Sequence, residues 1–489
     1  MKYEAVIGLE IHVQLATRTK MFCGCRYRYG AEPNTLLCPV CLGLPGALPM
    51  PNDRAVELAV RAALALECEV AETSVFARKN YLYPDLPKGY QITQYDRPLA
   101  VRGVFRQGAA RRDAGAGDSA PDGEERHVLI QRVHLEEDTG KSLHDRFPER
   151  TALDFNRAGV PLIEIVTEPS IRSPAEARAF LVALKRTLEY LEASDCDMEK
   201  GSLRVDANLS VRPAGAGLGT KTEVKNLNSF SAVERALAHE AERQARVLDG
   251  GGEVAQETRL WDADAGVTRP MRSKEATHDY RYFPEPDLPP LVVTAGRLAA
   301  IRRAMPELPE ARARRFQEEY GLRDYDASVL AASRPLADYF EATAHAAGDP
   351  KAAGNRIMTD VLAWLNARGL GIEAFPVTPR ALAELTTLVA DGTLSSSAAT
   401  TVLDRMAETG RPAAEIADAE GLAQVSDDAA LGRWVAAALA AHPREAARLE
   451  AGEAKLVGFF MGKVMAASGG AADPKRAAAL LRGRVGTRE

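Results

Sequence analysis

Four of the six cysteines fall within Met21–Gly43, at Cys23, Cys25, Cys38 and Cys41. A C-x-C pair, a gap of twelve residues and a C-x2-C pair can close on one tetrahedral ion, because each pair wraps the metal from one side. The same count would make two disulfides in an oxidising compartment. The opening MKYEAVIGLEIHVQL carries one Lys, and Glu10 and His12 break its apolar run, so it lacks the core of a signal peptide. No run of about 18 apolar residues occurs, and no membrane span is expected. A reducing, cytoplasmic setting and a structural Zn2+ are the expectation. Four thiolates leave no open coordination position, which disfavours catalytic zinc. Cys68 and Cys196 stand alone and read as packed thiols.

A second set of chemistry-bearing residues is acidic. Glu10 and His12 lie two apart, Glu136-Glu137-Asp138 occurs in HLEEDTGK, and Asp206 lies in VDAN. Glu164 interrupts the apolar PLIEIV, where an isolated carboxylate is costly unless it is paired or metal-bound. Oxygen ligands with one imidazole suit Mg2+ or Mn2+, the ions that bridge phosphates in phosphoryl transfer. Each carboxylate taken singly also fits a solvated face or a salt bridge, and spacing alone does not show that they converge.

The stretch NYLYPDLPKGYQITQ, Asn80–Gln94, reads as an ordered loop. Its tyrosines could stack a base, and Lys88 could meet a phosphate, with Tyr90 a further candidate for nucleotide or aminoacyl contact. A purely structural loop fits as well. No G-x4-G-K-[ST] loop, G-x-S-x-G elbow or Gly/Ser-rich amidase signature is present. A nucleophile for amide chemistry would then come from another chain.

These residues need strands to aim them. Tyr3, Ala5, Ile7, Leu9, Ile11 and Val13 alternate with small or polar positions, which puts Glu10 and His12 on one strand face. Val128–Glu137 and Leu203–Val211 alternate similarly, with Arg204, Asp206, Asn208 and Ser210 away from the core, and Gln256–Trp261 is a further strand. Helices are expected over Asp53–Glu69, over Ser173–Ala193 after a Ser-Pro-Ala-Glu capping box, and over Ser231–Leu248 before a triple-glycine stop. Gly108–Gly123 reads as a loose loop.

The Pro-rich FPEPDLPP, Phe283–Pro290, marks a boundary, after which Ala- and Leu-rich helical periodicity takes over. The expected class is α+β. A mixed or largely antiparallel sheet domain with helical insertions spans 1–294, a helical domain spans 295–410, and a small all-α tail spans 411–489. The net charge of −6 gives no overall basic footprint, but Lys455–Glu489 holds seven basic residues against two acidic ones. That tail fits local contact with a polyanion, and equally a solvated helix face.

The chain resembles the B subunits of aspartyl/glutamyl-tRNA amidotransferases, the GatB family. The resemblance rests on IGLEIHVQL, CGC…CPVCLGLPGALP, RKNYLYPDLPKGYQITQYD, HLEEDTGKSLHD, LDFNRAGVPLIEIVTEP, EKGSLRVDANLSV, TEVKNLNSF and HDYRYFPEPDLPPL, in that order along nearly the whole chain. It implies a kinase-like cradle followed by a YqeY-like tail that contacts tRNA. ATP would phosphorylate the side-chain carboxylate of Glu-tRNA(Gln), Asp-tRNA(Asn) or both. Ammonia from a GatA-like amidase would then complete the amide, with a GatC-like small subunit around the pair. The family's magnesium site maps onto Glu10, His12, Glu137 and Glu164, with Glu136 and Asp206 as second-site candidates. The cysteines match the zinc-bearing branch. Many relatives have a Lys after the serines at Ser395-Ser396; here Ser397 and Ala398 follow. Two rivals remain on the residues alone: a non-catalytic RNA-binding module, which leaves Glu164 unexplained, and a free-standing ATP-dependent amide ligase using external ammonia.

Overall fold

The computed structural model describes residues 3–107, 126–147, 149–271, 279–425 and 427–485. The expected loop Gly108–Gly123 lies outside them. Two compact units divide at Glu310 and Ala311. Among the described residues no helix is long and apolar enough to cross a membrane.

The first unit is built on a nine-stranded sheet. Its order across the sheet is Val267–Pro270, Thr258–Asp262, Thr222–Lys225, Leu203–Pro213, Tyr3–Gln14, Pro161–Thr167, Arg126–Glu137, Ala100–Gln107 and Glu69–Val70. All neighbours run antiparallel except Thr222–Lys225 against Thr258–Asp262. The expected strands are present, and the first lies in the interior of the sheet. Its period-two pattern gives each face a single character. Ile7, Leu9, Ile11 and Val13 point into one core, each 1% exposed or less, and each contributes about 1.5–3 kcal/mol by leaving water. Val205, Ala207 and Leu209 join from one neighbour, and Ile163 and Ile165 from the other.

Three helices supply the facing layer. Asp53–Ala65 is capped by Asn52, Pro174–Tyr190 by Ser173 and Phe230–Asp249 by Ser229, each side chain accepting from backbone N–H groups of the first turn. Glu176 of the expected capping box reaches back to Arg172 N at 2.7 Å, one residue before the cap. Val56, Leu184 and Val233 bury in the same core as the strands. Cys68 and Cys196 are buried there too, as the packed thiols expected of them.

The last of these helices also carries a buried carboxylate with a complete set of partners. Glu240 is fully buried. It accepts from Thr222 Oγ1 at 2.8 Å, Thr268 Oγ1 at 2.8 Å, Gln244 Nε2 at 3.0 Å and Arg243 Nη2 at 2.6 Å. Burial alone would raise its pKa, but these bonds outweigh it and hold the carboxyl at about 2.

The stretch expected as one ordered loop is a loop over residues 81–89, with strand at Asn80 and over Tyr90–Gln94. Phe76–Asn80 and Tyr90–Gln94 pair antiparallel, and Phe283–Pro284 adds a third strand at Phe76–Asn80. Only the turn between them is irregular, where Gly89 takes φ +74°.

The second unit is helical. One core gathers Phe316, Phe340, Leu382, Val402 and Ile416, and another gathers Leu431, Phe460 and Leu481. The junctions differ from those read off the sequence. Ala295–Arg303 belongs to the first unit, since Ile301 buries in the sheet core, and Ala413–Ala419 belongs with the earlier helical core through Ile416 and Ala417.

Candidate active site and metal centres

The face of the sheet opposite the helices is polar. Register alone brings three strands' functional residues into a row: His12 stands beside Glu164, and Glu164 beside His134. His12 Nε2 lies 3.4 Å from Glu164 Oε2 and 3.7 Å from Glu136 Oε1. His134 Nε2 lies 3.2 Å from Glu164 Oε2 and 3.9 Å from Glu136 Oε2. Ligand atoms of His12, Glu136 and Glu164 fall within 4.8 Å of one another. His134 escaped the sequence reading. The available signal was its place two residues before Glu136, on the same strand face.

The electrostatics of this row are strained. Burial, then the neighbouring Glu164, push the Glu136 carboxyl upward, although His12 opposes them. Glu164 is also desolvated, yet hydrogen bonds from His12 and His134 hold it well below the usual carboxylate range. Burial works against the His12 imidazolium, but Glu164 and Glu136 outweigh it and raise its pKa. Two carboxylates and an imidazole whose ligand atoms converge are the donor set of a hard divalent ion. Mg2+ or Mn2+ fits these residues.

Glu10 shares the face, two residues along the strand from His12. Asn208 Nδ2 donates to its Oε1 at 3.1 Å. Burial, then Glu164 and Glu223, raise its pKa. Asp206 stands opposite Glu10 and is taken up by Lys225 Nζ at 2.6 Å, a cation that also meets Glu223 at 2.9 Å. Both residues therefore flank the cluster and do not enter it.

Glu137 is turned away. A bulge between Ile130 and Arg132 reverses the parity of the strand Arg126–Glu137. Val128 and Ile130 before it, and Val133 and Leu135 after it, all face the core. His134 and Glu136 thereby reach the polar face, and Glu137 the other side. There Glu137 pairs with Lys88, accepts from Ile92 N at 3.0 Å, and offers its backbone oxygen to Gln91 Nε2 at 2.7 Å. The resemblance assigned Glu137 to the ion with Glu136 in reserve; the residue within reach of His12 and Glu164 is Glu136. Asp138, also buried, is held low by Arg204 and Arg157 against the desolvation that would raise it.

Lys88, Tyr90 and Glu137 line a cavity of about 200 Å3 together with Cys41, Gly159 and Asp287. The Lys88 ammonium is 5.4 Å from the Tyr90 ring centre, and the Arg78 guanidinium is 4.2 Å from it. Beside this cavity the four cysteine sulfurs of the knuckle lie within 4.8 Å of one another. None of the six cysteines is disulfide-bonded. A hydrogen bond from Cys23 draws the Cys41 thiol down to about 4, helped by the Cys38 N–H and the Lys20 ammonium against the opposing effect of burial. Four converging sulfurs, with Cys41 already drawn toward the thiolate, suit tetrahedral Zn2+ with a closed coordination sphere.

Comparison with known proteins bears on what this site serves. Residues 5–299 match the family model described as the GatB/GatE catalytic domain, and residues 338–485 match that described as the GatB domain. The chain is 51% identical over 488 residues to the B subunit of the aspartyl/glutamyl-tRNA(Asn/Gln) amidotransferase of Moorella thermoacetica, covering 99% of this chain and 100% of that protein. It is 52% identical to the protein of the same name from Halorhodospira halophila, covering 99% of each. The same name belongs to a Caldanaerobacter subterraneus protein 49% identical over 483 residues, again covering 99% of each.

Proposed function

We infer the function from one premise: this chain belongs to the family of aspartyl/glutamyl-tRNA(Asn/Gln) amidotransferase B subunits. It acts as the subunit that activates a misacylated tRNA for amidation. ATP phosphorylates the side-chain carboxylate of Glu-tRNA(Gln), Asp-tRNA(Asn) or both, and ammonia displaces the phosphate to leave the amide. A GatA-like amidase subunit supplies the ammonia from glutamine, and a GatC-like subunit completes a heterotrimer in the cytoplasm.

The observation that carries this reading is the row His12, Glu164, His134 and Glu136 on the polar face of the sheet. A carboxylate oxygen leaves poorly, and phosphorylation makes it a good leaving group. The reacting partners, a triphosphate and a carboxylate, repel each other. A Mg2+ or Mn2+ ion held by His12, Glu136 and Glu164 would supply the neutralising charge. The chain's own part is positioning: His134 orients Glu164, Asn208 orients Glu10, and Lys225 holds Asp206. Lys88 and Tyr90, with Glu137, are assigned to nucleotide or aminoacyl contact in their cavity. The knuckle Cys23, Cys25, Cys38 and Cys41 holds structural zinc, about one per chain, which Cys41→Ser should release.

The division of labour follows the three parts expected from the sequence with their junctions moved: a catalytic cradle that takes in Ala295–Arg303, a helical linker that takes in Ala413–Ala419, and a tRNA-contacting tail after it. The assembled complex tests the whole reading when assayed with each misacylated tRNA, with ATP and glutamine present or omitted. Amide formation that needs both, and that Glu164→Gln slows by about 10²–10³-fold while glutamine hydrolysis persists, is the expected result. Tight tRNA binding without ATP turnover would replace it with a binding module. Full activity of the lone chain on free ammonia would replace it with a free-standing ligase.

A further inference from the structure

An aromatic stack near the polar face has no part in the function so far. Tyr95 and Tyr282 lie ring over ring, with centroids 4.1 Å apart and planes 2° from parallel. Tyr280 meets Tyr282 edge-on at 5.9 Å, and Tyr81 meets Tyr280 at 6.0 Å. The Lys79 ammonium, 4.8 Å from the Tyr280 ring centre, closes that end of the array.

The array is held in place. Asn80 N donates to Tyr280 O at 2.9 Å, and the Asn80 side-chain amide donates to Arg281 O at 2.7 Å. Arg281, between the two tyrosines, takes φ +44°, a left-handed conformation that a non-glycine residue keeps only where its surroundings enforce it. At the other end the stack is open. Tyr95 follows the strand whose Gln94 accepts from Leu135 N at 3.0 Å and whose Thr93 donates to Glu136, yet it is itself 52% exposed. The array therefore borders the carboxylate row. Besides burial and Tyr280, Glu164 and Glu136 both act on the Tyr282 phenol and raise its pKa.

A parallel aromatic stack that ends in an uncovered ring beside a phosphate-handling site is a platform for one more flat ring. We propose that an adenine base binds on the open face of Tyr95 and extends the Tyr95–Tyr282 stack. This rests on the function inferred above, which brings two adenines to this face: that of ATP and that of the tRNA 3′-terminal nucleotide. Their stacking chemistry is shared.

Two fluorescent probes separate the sources, each titrated with the assembled complex: 2-aminopurine riboside triphosphate, and a tRNA carrying 2-aminopurine at its 3′ end. One of them should be quenched on binding. Tyr95→Ala should remove the quenching and weaken binding of that probe about tenfold to a hundredfold, the range of one base–aromatic stack. Tyr95→Phe should restore both. Quenching of the triphosphate alone assigns the platform to ATP, and quenching of the tRNA alone assigns it to the acceptor end. If wild type amidates tRNA while Tyr95→Ala binds and quenches both probes normally, the platform is overturned and the function stands. A wild-type complex that binds neither probe overturns both.

Discussion

Glu240 and Glu136 are both carboxylates removed from water in the same unit, and their surroundings treat them in opposite ways. Glu240 has a guanidinium, two hydroxyls and an amide directed at it, and its pKa falls to about 2. Glu136 has another carboxylate, two imidazoles and the Thr93 hydroxyl, and burial, then Glu164, raises its pKa against the imidazoles. A carboxylate surrounded by protein donors is already neutralised and serves the fold. A carboxylate crowded against another leaves negative charge unanswered, and that unmet charge is what recruits a cation or a cationic transition state. Completeness of partners, more than burial, separates the acid that serves the fold from the one proposed to hold the ion.

Five substitutions can break or sharpen that contrast. Glu240→Ala should have the largest effect, about 3–5 kcal/mol of stability in chemical denaturation, because Arg243 is left unpaired beside a buried void. Amidation per folded molecule should be unchanged. Glu164→Gln and Glu136→Gln should each slow ATP-dependent amidation by about 10²–10³-fold, the scale of losing one preorganised charge. For Glu136→Gln the melting temperature should hold or rise, since the amide no longer has to be buried as an anion. A fall comparable to that of Glu240→Ala would erase the distinction.

The pH dependence gives a third test. The folded pKa of Glu240 is depressed from 4.5, so its stabilisation is present above about pH 4.5 and is lost as pH falls toward 2. Acid unfolding of Glu240→Gln should lack that component, whereas Glu136→Gln should retain it. Asn208→Ala should have the smallest effect, about 1 kcal/mol or less on stability, because its partner Glu10 is partly solvated, with a modest loss of amidation.

Much of this geometry was legible in the amino-acid order. Alternation over Tyr3–Val13 and Leu203–Val211 correctly separated Ile7, Leu9 and Ile11 from Glu10, His12, Asp206 and Asn208. A capping box marked the start of Pro174–Tyr190, whereas the caps Asn52 and Ser229 of the other two packing helices were not read from the sequence. The choice between Glu136 and Glu137 was not legible, because the bulge before Arg132 shifts parity by one and leaves no local sign. Counting in twos from Val128 sends Glu137 to the polar face. The strand pair flanking Tyr81–Gly89 was hidden by prolines and glycine in the turn, whose signals outweighed the short strands on either side. The junctions of the helical cores were missed because Ile301 and Ile416 are ordinary helix residues until their neighbours are known.

The placement of the opening strand has a consequence for biosynthesis. Tyr3–Gln14 is made well before both of its neighbours, Pro161–Thr167 and Leu203–Pro213. At about 5–20 residues per second, translation delivers the second neighbour roughly 10–40 s after the first strand leaves the ribosome. Until then at least one of its edges lacks its final partner. The same segment that carries His12 to its place is thus the part of the nascent chain most in need of shelter from premature pairing.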